Sequence, residues 1–174
     1  MNDAPSPRTK IVSSAHLVAE DAAELSEFEY GLMVSASAFN RWMIRCMAAA
    51  GAPELSALDV MVMHTVNHRE RAKRLADICF TLNVEDTHLV NYALKKLVKA
   101  GLVTASKLGK EAHYDASADG RALCQRYREV REACLIETVS ALGSIENEEV
   151  GRAASVLRAL SGLYDQAARA ATSL

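Results

Sequence analysis

Apolar positions recur at spacings of three and four residues along most of this chain, the period of helices that bury one side. The first strong block follows "SEFE" at Ser26, a capping-box pattern in which Ser26 accepts from a free backbone N–H and Glu29 reaches back. It runs through "FEYGLMVSASAFNRWMIRCMAAAG" and predicts a helix over 26–51, closed by Gly51 and Pro53. Ahead of it, residues 1–13 read as a loose arm and Ser14 to about Leu25 as a short helix. Ser56 and Asp59 offer a second cap before "ALDVMVMHTVNHR", whose Leu58, Val62, Met63 and Val66 form a stripe suited to burial. A third helix is predicted over Arg71–Leu82, burying Leu75, Ile78 and Cys79.

The next stretch, "LNVEDTHLVNYALKKLVKAGLV", carries the sharpest division. With Glu85 or Asp86 as cap, a helix to about Ala100 gathers Leu89, Val90, Ala93, Leu94, Leu97 and Val98 on one face. His88, Asn91, Tyr92, Lys95 and Lys99 fall on the opposite face, and Gly101 stops the helix. The period then shortens. "LVTASKL" and "AHYDAS" alternate in and out around Gly109 and predict a β-hairpin. Two long helices, about Ser117–Leu142 and Ser144–Ala171, close the chain.

Composition adds bounds. At 174 residues the chain suits one domain, or a small domain extended by helices. Half the residues are hydrophobic but only 5% are aromatic, which favours close-packed helices rich in alanine. No run of about eighteen apolar residues exists, so no membrane span is expected. The N-terminus lacks the basic-then-apolar order of a signal peptide, and a cytoplasmic location is expected. Cys46, Cys79, Cys124 and Cys134 form no C-x-x-C pair and read as reduced thiols used as small hydrophobes. The net charge of −2 hides an asymmetry: residues 60–115 hold nine Lys/Arg and six Asp/Glu, so that segment is +3 and the rest −5. A basic centre between acidic arms suits a polyanionic partner.

Two short helices, the second followed by a glycine and a hairpin, make a winged helix-turn-helix. A helix anchored on its inner side and carrying donors and acceptors outside fits the major groove of DNA. Thr87, His88, Asn91, Tyr92, Lys95 and Lys99 are the candidate contacts of that helix. Lys107, Lys110 and His113 are candidates in the wing, and Arg71, Lys73 and Arg74 on backbone phosphates. Enzyme chemistry finds no support: there is no Gly-rich phosphate loop, no G-x-S-x-G and no paired carboxylates. His64 and His68 lie one helical turn apart, but no third ligand accompanies them; they read as a helix end with two partly exposed histidines. No metal or cofactor is expected.

The segment "KRLADICFTLNVEDTHLVNYALKKLVKAGLV", with the wing and two long helices after it, resembles the MarR family of bacterial transcription regulators. The resemblance extends in layout over 26–171 and is sharpest over 56–120. It implies a mainly α fold with a small hairpin wing: a dimerisation helix at 26–51, a DNA-binding domain at 56–116 and C-terminal dimerisation helices in 117–174. It further implies a homodimer on a pseudo-palindromic operator, with a small-molecule effector, acting as a repressor. Phe39, Trp42, Met43, Met47, Leu157, Leu160 and Tyr164 are the expected dimer seam; the patch around Trp42 could instead wall a ligand pocket. The family's wing arginine is missing from "KLGKEAHY", and Glu85 and Asp86 stand where a phosphate would approach the helix. These departures keep a second reading open, a winged-helix protein–protein module that has lost DNA.

Overall fold

The computed structural model describes residues 23–138 and 147–174, so the expected arm, most of the expected Ser14–Leu25 helix and the Gly143–Ser144 junction lie outside the described residues. The chain falls into two compact units, 1–127 and 128–174.

In the first unit, helix α1 spans Ala23–Ala49. It runs straight through Ser26, which is buried inside the helix and is not its cap, contrary to the capping-box expectation. Only the C-terminal end of α1 joins the core, through Met43, Cys46 and Met47. Helix α2 (Ala57–Asn67) starts where its cap predicts: the Asp59 amide donates to Ser56 Oγ at 3.3 Å, and the Ser56 amide donates to Asp59 Oδ2 at 2.8 Å. Val60, Val62, Met63 and Val66 are fully buried, so α2 is the central post of the unit.

Between α2 and the next helix the expected pattern fails. Lys73 and Arg74 do not open a helix at Arg71; they form a two-residue strand, β1, and helix α3 begins at Leu75 and ends at Leu82. Helix α4 (Thr87–Lys99) follows, with Asp86 Oδ1 accepting from the His88 amide at 2.9 Å. Strands β2 (Val103–Leu108) and β3 (Glu111–Ala116) form the hairpin, in register from Val103 opposite Ala116 to Leu108 opposite Glu111. Its two-residue loop places Gly109 at φ +65°, the left-handed conformation that the first central position of a tight hairpin turn needs. β1 pairs antiparallel with β3, giving a three-stranded sheet in the order β1-β3-β2.

Helix α5 (Ala118–Arg131) returns across this frame and buries Leu123, Cys124 and Tyr127. Ser117 caps it: its Oγ accepts from the Gly120 amide at 3.0 Å and donates to Gly101 O at 2.6 Å. Arg126 Nε donates to Ala50 O at 2.8 Å and so satisfies a carbonyl left over at the end of α1. Past Arg131 the helix expected there continues through a π-helical turn (Glu132–Ile136) as far as Thr138, the last residue described before 147, and helix α6 covers Asn147–Ala171. Among the described residues no helix is long and apolar enough to cross a membrane. Cys46, Cys79 and Cys124 are buried and Cys134 is exposed; burial raises the Cys79 thiol and pushes Cys124 up to about 11, as expected of inert packing groups.

Candidate nucleic-acid interface

Helix α4 carries the candidate contacts, and its orientation is set from behind. Val90, Ala93, Leu94 and Leu97, spaced i, i+3, i+4 and i+7, are the residues it buries. This stripe is narrower than the six-residue face expected. Leu89 is 52% exposed and Val98 36%, because each lies at a terminal turn and about 80–100° round the helix from the stripe. Lys96 adds a polar latch: its Nζ donates to Asp59 Oδ2 and to Glu54 O, both at 2.7 Å. Burial alone would raise the Asp59 carboxyl, but hydrogen bonds from Lys96 and Ser56 outweigh it and hold the group below the ordinary carboxylate value. One carboxylate thus closes the cap of α2 and fixes the roll of α4.

The outer face is open. Thr87, His88, Tyr92, Lys95 and Lys99 are exposed and Asn91 is half-buried. None of these side chains has a hydrogen-bond or ion-pair partner among the described residues. Lys107, near the end of β2, and Lys110, within the hairpin turn, are both exposed. His113 is not at the tip: it sits half-buried in the central strand, opposite Ser106 on one side and Arg74 on the other.

Two of the proposed phosphate contacts are spoken for. Lys73 is buried, and its ammonium donates to Val66 O at 2.8 Å, Arg71 O at 2.9 Å and His68 O. All three of its hydrogens close off the end of α2, so Lys73 has none for DNA. Burial, with repulsion from Arg71, lowers its pKa. Arg74 grips Asp77 through two hydrogen bonds of 3.1 and 3.0 Å and reaches Glu111 at 3.5 Å, tying α3 to the wing. These contacts hold the Asp77 carboxyl low and the Arg74 guanidinium high. Arg71 is exposed but lines a cleft with His64 and His68.

The expected seam divides too. Met43 and Met47 belong to the core of their own chain and do not face outward. An apolar stripe on a helix shows that something covers it, not which neighbour does. Phe39 is 56% exposed, Trp42 is half-buried, and in the second unit Leu157 is exposed while Leu160 and Tyr164 are half-buried.

His64 is the residue the sequence undervalued. Its ring packs edge-on against Tyr127, with centroids 4.5 Å apart. Burial lowers its pKa below the ordinary value, so the folded chain favours the neutral ring. An unfolded histidine protonates near pH ~6.5. The unfolded chain therefore binds more protons as pH falls through that value, and stability is lost below it; above it the fold is unaffected. Denaturant unfolding is expected to show a loss of stability as pH falls from 7.5 to 5.5, and His64→Phe, which keeps a ring against Tyr127, is expected to flatten it. An unchanged pH slope in that variant would assign the loss elsewhere. Asp59, whose carboxyl is held below the ordinary 3.8, contributes only in the more acidic range. Among the described residues no group of three His, Cys, Asp or Glu is placed to hold a metal ion.

A family model described as "Winged helix DNA-binding domain" matches residues 55–120, the span from Leu55 through the first turn of α5. That segment is therefore similar to winged helix DNA-binding domains. Its fold is that of the MarR-type regulators. A MarR family transcription regulator, SP03579, has a solved structure that superposes with a TM-score of 0.66 at 12% identity, covering 86% of this chain and 95% of that one. RV1404 from Mycobacterium tuberculosis gives 0.64 at 15%, covering 83% and 97%. NadR, solved in complex with 4-hydroxyphenylacetate, gives 0.60 at 16%, covering 76% and 91%. No curated protein matches the chain in sequence.

Proposed function

We propose that this chain is a homodimeric, sequence-specific DNA-binding transcription regulator of MarR type, acting as a repressor. The observation that carries the reading is the asymmetry of α4. Its inner stripe and Lys96 are locked to the frame, while His88, Tyr92, Lys95 and Lys99 stand exposed on the outer face, their side chains without partners among the described residues. Fixed backing and free donors are what groove reading requires. Asn91 and His88 read base edges, Thr87 and Tyr92 reach bases or phosphates, and Lys95 and Lys99 sit against phosphates. Lys107 and Lys110 extend the footprint through the wing. Phe39, Trp42, Leu157, Leu160 and Tyr164 form the seam between protomers, a role supported by large apolar groups left exposed on α1 and α6. The complex of NadR with 4-hydroxyphenylacetate supports a response to a small aromatic acid.

Sequencing DNA that co-purifies with the protein is expected to return one recurrent inverted repeat. Affinity for that repeat should fall steeply and linearly on a log–log plot against salt, as phosphate contacts release counterions. No binding to genomic fragments at low salt, with a protein recovered instead on pull-down, would decide for the protein–protein module.

A further inference from the structure

The hairpin ends in a side chain that phosphate contacts do not explain. Leu108 closes β2 at the tip and is 71% exposed, so no described residue covers it. We propose, resting on the DNA reading of α4, that Leu108 is an apolar wedge: it enters the minor groove beside the major groove that α4 reads and prises apart one base step, bending the duplex.

The hairpin has the reach and the slimness for this. β2 starts at Val103, soon after α4 ends at Lys99, and its six residues carry the tip about 20 Å from that junction. The minor groove is about 6 Å wide, little more than the ~4.8 Å between two paired strands, so only the apex fits. The two-residue loop there adds Gly109, which has no side chain, and Lys110, whose long stem lets the ammonium stay with the phosphates. Leu108 is the bulk that the apex offers to the bases.

Charge selects the same partner. Lys107 and Lys110 bracket Leu108 in the chain, both exposed and without side-chain partners among the described residues. Between 104 and 112 Glu111 is the one acid. It lies opposite Leu108 in register, and Arg74 draws it back with a contact of 3.5 Å. The apex therefore shows two cations around an oily centre, which suits a polyanion with a stacked apolar interior. The hairpin has no arginine, the cation that favours a narrow minor groove. A leucine between bases reads that groove another way, through the ease with which a step unstacks.

Full-length protein on the recurrent inverted repeat, end-labelled for energy transfer, tests the wedge. Wild type is expected to bend the duplex by more than about 20°. Leu108→Ala should leave it near straight and bind roughly tenfold more weakly, while Leu108→Met, still an apolar wedge, keeps the bend. The salt slope of Leu108→Ala should match wild type, since no cation is lost, and so should its melting temperature, since the side chain is exposed. Replacing a pyrimidine–purine step under the wing by an A-tract is expected to weaken wild type and spare Leu108→Ala. The wedge is overturned, with the DNA reading left standing, if Leu108→Ala binds and bends the repeat as wild type does. It is equally overturned if that variant loses affinity with the bend intact, which would make Leu108 a contact on the groove wall. Wild type that binds no fragment at low salt would overturn both readings.

Discussion

Lys95→Glu is expected to weaken operator binding at least about 100-fold, with the folded chain intact. Lys95 is exposed on the outer face of α4 and has no side-chain partner among the described residues. The substitution removes a cation and plants an anion where a phosphate would lie. In the proposed dimer it does so twice per operator, and each charge reversal strips a counterion-releasing contact. The log–log salt slope should therefore become shallower by about two, one for each protomer. Fluorescence anisotropy across a salt series, with circular dichroism to confirm the fold, measures both. A variant that binds the same fragment at wild-type concentrations would remove α4 from the interface. Lys96→Glu cannot substitute in this experiment, because Lys96 is latched to Asp59 and its loss would perturb the helix itself.

Gly120→Ala is expected to be the most damaging single methyl group in the first unit. A Cβ at Gly120 would stand 2.0 Å from Leu102 O and 2.9 Å from Met63 Cε. The methionine end can swing away; the carbonyl cannot, because it accepts the Ser117 amide at 3.0 Å just before α5 begins. α5 would have to lift off the α4–β2 junction, taking its own cap with it. Overpacking of this kind against backbone costs about 3 kcal/mol, or on the order of 10 °C in melting temperature for a chain of this size. Differential scanning calorimetry reads it directly, and a shift within about 2 °C of wild type would refute the close approach.

How much of this was legible in the sequence follows from how far each determinant reaches. The Ser56–Asp59 box, the Asp86 cap and the Gly109 turn are decided within four residues, and all three occur where the sequence places them. The division of α4 into a buried stripe and an outer polar face was equally local, because 100° per residue assigns the faces without knowledge of neighbours. Non-local partners were invisible. Nothing in "RAKRL" announces that Lys73 lies opposite Tyr114 across a sheet, and a basic pair before a helix reads as a phosphate patch. Lys95 and Lys96 are adjacent and chemically identical, yet one faces outward and the other closes a buried carboxylate 37 positions away. Met43 and Met47 show the same blindness: their stripe was plain, and only the fold says that their own chain covers it.

The short strand β1 has one more consequence. Its two residues follow the turn closing α2 and pair with Tyr114 and His113 in the middle of β3, so that turn is hydrogen-bonded to the hairpin partway along its length. Arg74 adds a second tie, from the same turn to Glu111 at the start of β3 beside the hairpin tip. A substitution that loosens this corner is therefore expected to alter the hairpin while leaving the buried stripe of α4 in place.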